Sequence, residues 1–224
     1  MKNYNNVTKS FFRPLIYPLA LVLLLAASAG AAAPAEGMKE DKTHVNKWNL
    51  FTANIYKLHK KIVKGKKYTV KTRIGGYSDN AKFYKEEIYF DEKTGKKISM
   101  IQWELANPKN IHSIEVLVRN KKGQIIRDYS SAYLPHYRNA PTQTLINLWG
   151  HTGKMHGFRQ FDAGGDLIYE QCEGKWKGKD VMIRLFEDDL VNGDSSVNKT
   201  MKAGPYKACF GKVEQTAKKY LIPN

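Results

Sequence analysis

Two histidines, His151 and His156, flank Thr152-Gly153-Lys154-Met155, and a tight hairpin there would bring both imidazoles to one face. Paired imidazoles begin a zinc site, but zinc takes three or four protein or water ligands. Asp162 offers an oxygen at a spacing that no metal requires, so the pair is expected to serve structure or surface. The acidic cluster Glu187–Ser196 (EDDLVNGDSS) invites a calcium reading from Asp188, with Asn192 and Gly193 in fitting places. Leu190 then stands where an oxygen is required, and the pattern fails at a coordinating position. Glu86 and Glu87 are neighbours; in a strand they point to opposite faces, which spoils them as an acid–base pair. Ser130 and Ser131 lie near Asp128 and upstream of His136, a closeness in sequence that makes no triad. The chain has no Gly-x-Ser-x-Gly elbow, phosphate-binding loop or His-Glu-x-x-His, and the sequence assigns no catalytic residue, metal ligand or cofactor.

Binding chemistry is better represented. The segment Ser130–Thr144 (SSAYLPHYRNAPTQT) gathers Tyr133, His136, Tyr137, Arg138 and Asn139 around Pro135 and Pro141. Aromatics and an arginine on a proline-stiffened loop make a recognition surface; the alternative is a wide connection whose tyrosines pack onto the sheet edge. Cys172 and Cys209 are the two cysteines of the chain, with no Cys-x-x-Cys motif. In an oxidising compartment they are expected to pair, tying a core strand to the C-terminal segment.

What must position these groups is a train of short strands. From Tyr68 the apolar period is two: Tyr68, Val70, Thr72 and Ile74 alternate with Thr69, Lys71 and Arg73. Further strands are expected at Phe83–Phe90, Lys97–Leu105, His112–Arg119, Gln124–Tyr133, Gln143–Gly150, Lys154–Phe161, Asp166–Cys172 and Lys179–Phe186. Between them fall glycine-, asparagine- and aspartate-rich turns, such as Asn120–Gly123 and Asp162–Gly165. No helix-length segment intervenes, so parallel crossovers are not expected and an antiparallel meander of about nine strands is. A meander this long must curl, into a partial barrel or around another element. That element is Asn46–Lys64, where Trp48, Phe51, Ile55, Leu58 and Ile62 recur at helical spacing with lysines between them. Glu187–Gly204 reads as a polar loop and Tyr206–Leu221 as a short terminal helix. The fold class is mainly β, α+β.

The ends carry the cellular address. Lys2, Lys9 and Arg13 precede the apolar run Leu15–Ala29 and the small-residue stretch AASAGAAAPA, the order of a cleaved secretory signal peptide. The expected organisation is a signal over 1–35, a flexible leader over 36–45 and one β-rich domain over 46–224. The formal net charge is +16; without the three basic residues of the signal it is +13 (16 − 3). In an exported protein such an excess favours an anionic envelope component, not nucleic acid. Membrane contact after cleavage is expected to be peripheral at most.

Particular residues also carry a resemblance: Asn49-Leu50-Phe51, the turn Ile74-Gly75-Gly76-Tyr77, the run Tyr137–Leu148 (YRNAPTQTLINL) and Phe158-Arg159-Gln160-Phe161-Asp162. On these the stretch from Trp48 to Gly174 resembles an uncharacterised bacterial exported domain, in some relatives joined to tetratricopeptide-type repeats that scaffold protein interactions. This chain has no such repeats, and the resemblance implies no activity. The reading is therefore a secreted or periplasmic, non-enzymatic binding or protein-interaction module. Its alternatives are a carrier of a lipid-like or apolar ligand between sheet and helix, and an unrecognised hydrolase.

Overall fold

The structure is a computed structural model that describes residues 42–133 and 142–224. The expected signal over 1–35 and the loop residues His136, Tyr137, Arg138 and Asn139 lie outside the described residues.

Nine strands form one sheet: β1 (Tyr68–Gly75), β2 (Tyr84–Asp91), β3 (Lys97–Glu104), β4 (Ile111–Arg119), β5 (Ile125–Tyr133), β6 (Thr142–Thr152), β7 (Met155–Asp162), β8 (Leu167–Trp176) and β9 (Lys179–Phe186). Each pairs antiparallel with the next in sequence, in the order β1 to β9. Neither edge finds the other, so the meander is open and not a barrel. The β6–β7 hairpin shows how local chemistry sets register. Gly153 supplies the positive φ (60°) of a two-residue turn, the type whose twist suits antiparallel strands. Counting outward from it sets His151 opposite His156 and Trp149 opposite Phe158.

The sheet has two unlike faces. One is met by α1 (Lys42–Val63), which begins four residues before the expected Asn46. Phe51, Ile55 and Leu58 on α1 join Ile101, Ile114, Val116, Tyr129, Ile146 and Phe161 in one buried cluster. Full burial of such side chains stabilises by roughly 1.5–3 kcal/mol each. Three polar contacts cross the same interface, as buried polar atoms favour. Thr52 Oγ1 lies 2.6 Å from Ser131 Oγ, His59 Nδ1 lies 2.8 Å from Ser99 Oγ, and the Trp48 indole donates to the Ala132 carbonyl at 3.1 Å. Burial lowers the pKa of His59, in keeping with a neutral ring between helix and sheet.

The C-terminal segment departs from expectation. Glu187–Gly204 is not a polar loop: it holds α2 (Glu187–Asn192) and α3 (Ser195–Lys202). Asp194, within the acidic cluster, caps α3 by accepting from the Ser196 and Val197 amides. The expected terminal helix over Tyr206–Leu221 is only α4 (Gly204–Phe210), followed by irregular chain and a single 3-10 turn at Lys218–Tyr220. Tyr206, Cys209 and Phe210 of α4 pack with Met155, Cys172 and Leu185 on the helix face. The Cys172–Cys209 disulfide is formed, with Cα atoms 6.0 Å apart. Gly150 makes room for this segment: a Cβ there would stand 2.4 Å from Val213 Cγ2 and 2.6 Å from the Cys209 carbonyl oxygen.

Candidate functional site: the outer face of the sheet

Opposite the helices, the sheet carries a row of polar and aromatic side chains that no single strand announces. Cross-strand register sets Asp128, Asn147, Gln160, Tyr169 and Phe186 side by side over β5–β9. Trp149 stands opposite Phe158 in the neighbouring row. The rings make contact in a continuous zigzag. Trp149 and Phe158 have centroids 4.7 Å apart, Phe158 and Tyr169 5.8 Å, and Tyr169 and Phe186 5.2 Å. All three pairs are tilted, an arrangement that the ring quadrupoles favour over a face-to-face sandwich. Trp149 and Phe158 are half-buried, while Phe186, at the sheet edge, is 45% exposed.

A chain of side-chain amides runs beside the rings and ends on a carboxyl. Gln160 Nε2 donates to Asn147 Oδ1 at 3.1 Å, and Asn147 Nδ2 donates to Asp128 Oδ1 at 2.7 Å. The second Asp128 oxygen accepts from the Trp149 indole N–H. Both oxygens are thus engaged, and the indole plane is held at the head of the ladder. Asp128 is 5% exposed. Burial pushes its carboxyl up to about 7, the nearby Glu115 charge adds to the shift, and the Trp149 and Asn147 donors oppose it. Glu115 is itself paired with Lys97. At the far end Tyr169 O–H donates to Gln171 Oε1 at 2.9 Å, and exposed Arg184 stands opposite Gln171.

The helix face carries a second buried network with a different task. Arg159 Nε donates to Glu170 Oε1 at 2.6 Å, and Tyr206 O–H donates to Glu170 Oε2 at 2.7 Å. Arg159 Nη1 donates to the carbonyls of Phe210, at the end of α4, and of Val213 and Glu214 in the irregular chain beyond it. This ion pair clamps the C-terminal segment to the sheet. Arg159 also lines a depression of about 460 Å³ with Tyr206 and Phe210.

The sequence-derived candidates are dispersed. Tyr133 is half-buried on the helix face, its ring 5.8 Å from that of Trp48 at 58°. His151 and His156 do meet across the hairpin, with Nδ1 atoms 3.4 Å apart, and His151 Nε2 lies 2.6 Å from the Ile125 carbonyl oxygen. Asp162 sits at the other end of β7, where it accepts from the Gly164 and Asp166 amides. Among the described residues no group of three or more His, Cys, Asp or Glu side chains converges as metal ligands would. Glu86 and Glu87 do take opposite faces: Glu86 accepts from Arg73 and Gln102, Glu87 from Tyr89 and Trp103.

Sequence reasoning overlooked the ladder because its members lie on four strands. The signal that could have found it is the Gly153 turn, from which counting outward pairs Trp149 with Phe158. Comparison with protein-family models, with curated proteins and with solved structures finds no match for this chain.

Proposed function

We propose that this chain is an exported, non-enzymatic binding module that takes its ligand on the outer face of the sheet. The observation that carries the reading is the Trp149–Phe158–Tyr169–Phe186 ladder, in which Tyr169 is buried, Trp149, Phe158 and Phe186 are partly open to solvent, and Asn147, Gln160 and Arg184 stand at the edge. Ring faces take up the apolar C–H faces of a sugar, while amides and a guanidinium take up its hydroxyls and acidic groups. An acidic saccharide chain of the cell envelope fits that surface and the net charge of +13 (16 − 3) that remains without the signal. In this reading the sheet curls around α1 as a rigid scaffold, and binding residues stand on strands that hold them in register.

Export is supported by the disulfide, a bond that persists in oxidising compartments, and by the basic-then-apolar order of residues 1–35. No described helix is long and apolar enough to cross a membrane. Against the carrier alternative, the space between α1 and the sheet is filled by side chains with no exposure, among them Ile55, Ile101, Ile114 and Phe161.

The test is a titration with acidic and neutral oligosaccharides, followed by the fluorescence of Trp149 with the other tryptophans replaced by phenylalanine. Tighter binding of the acidic series, weakened at least tenfold in Phe158→Ala, is expected. Equal affinity of Phe158→Ala and the parent protein for every sugar would remove the ladder from the binding surface.

A further inference from the structure

The first edge of the sheet is built unlike the last. β9 runs directly into α2, which covers its end. β1 is an eight-residue strand, exposed along nearly its whole length and, among the described residues, paired only with β2. The Lys67 carbonyl accepts from the Glu92 amide and the Gly75 carbonyl from the Phe83 amide, both toward β2. Antiparallel alternation then turns the main-chain N–H and C=O groups of Tyr68, Val70, Thr72 and Ile74 away from the sheet. Those residues also share one face, where Tyr68 is 43%, Val70 41% and Ile74 52% exposed. The other face of β1 is cationic. Lys71 lies over the Phe90 ring at 5.3 Å and is exposed, and Arg73 is 67% exposed while paired with buried Glu86.

We infer that β1 is a docking edge for an extended acidic peptide segment of a partner protein, added antiparallel or parallel as a tenth strand. Main-chain groups supply the pairing and the side-chain pattern supplies the choice. Residues of the incoming strand opposite Val70 and Ile74 lie on the apolar face, and those between them face Lys71 and Arg73. The strand that fits therefore alternates aliphatic with Asp or Glu. A second copy of β1 does not fit: two copies would set Lys71 and Arg73 of each near those of the other, and like charges across a strand pair repel. Basic residues on an edge are also a common guard against such self-pairing. The inference is independent of what the aromatic ladder holds, because β1 and the β6–β9 ladder lie at opposite ends of the sheet.

The test uses the full chain and a blocked peptide of about eight residues, the length of β1, in which valine alternates with glutamate. Controls are the same composition in paired blocks and a valine–lysine alternation. The expected result is binding at least tenfold tighter for the alternating acidic peptide than for either control, weakened by salt. Val70→Pro removes an outward N–H without removing a β1–β2 hydrogen bond, and should abolish binding. Lys71→Glu should reverse the preference toward the lysine peptide, and serves as the second variant should proline loosen the strand. Equal affinity for the alternating and block peptides would overturn the inference. So would a concentration-dependent dimer of the chain alone that Val70→Pro dissolves, since it would put a second copy on the edge.

Discussion

Raising the pH from about 4 to about 8 should withdraw roughly 4 kcal/mol of stability through one buried carboxyl, that of Asp128. Its folded-state pKa of about 7 stands above the ordinary 3.8. The gap of about three units, at about 1.36 kcal/mol per unit, gives the figure. Asp128 is 5% exposed, so solvent screening does not discount it. Below the unfolded-state value both states carry the proton and the contribution is complete. As pH rises, the unfolded chain releases its proton while the folded one keeps it, and stability falls until the folded carboxyl ionises near 7. Asp128→Asn removes this titration while preserving shape. The amide can accept from only one of the Trp149 and Asn147 donors, a pH-independent loss of about 1–3 kcal/mol. The assay is urea unfolding of both proteins at intervals across that range, read by tryptophan fluorescence. Other titrating groups cancel in the difference, and parent minus variant should fall by roughly 4 kcal/mol from acid to base. A difference flat within about 1 kcal/mol would refute the reasoning. An opposite slope would mean that the Trp149 and Asn147 donors hold the carboxylate ionised against its burial.

The disulfide closes a loop of 37 residues in sequence separation; removing it in Cys172→Ser/Cys209→Ser should cost about 3–4 kcal/mol in chemical denaturation, with amide exchange rising first in α4. Arg159→Met strands the buried Glu170 carboxylate and three carbonyls, and should destabilise by about 3–5 kcal/mol. Restoration of most of that loss in Arg159→Met/Glu170→Leu would identify the uncompensated charge as the cause. Ile55→Ala on α1, at a fully buried position, should lower unfolding free energy by about 2–5 kcal/mol; a loss below about 0.5 kcal/mol would show that α1 does not share the sheet's core.

The strands were legible because each signal is local. An apolar period of two needs only neighbouring residues, and turns announce themselves through glycine, asparagine and aspartate. The expected strand limits accordingly fall within a few residues of the observed ones; Lys179–Phe186 is the same. The C-terminal region was less legible. Glu187–Gly204 has too few apolar residues for a helical stripe, and its helices are six and eight residues long, held by Asp194 capping and by packing of Leu190, Val197 and Met201 on the cluster that α4 forms with the sheet. Tyr206–Leu221 looked like one helix, yet Gly211 follows Phe210 and the chain is then held by Arg159, a residue far away in sequence.

By itself the sequence determined the meander, the amphipathic stripe of α1 and the number of cysteines free to pair, because periodicity, turn chemistry and composition are properties of short stretches. Only tertiary structure decided that the sheet stays open, that Asp128 is buried against Trp149 and Asn147, and that four rings from four strands form one ladder. Those facts depend on register, curvature and burial, which arise when distant segments share a surface. The polar residues most visible in the chain, His151 and His156, turned out to be hairpin neighbours; the aromatics hidden in ordinary strand alternation became the candidate site.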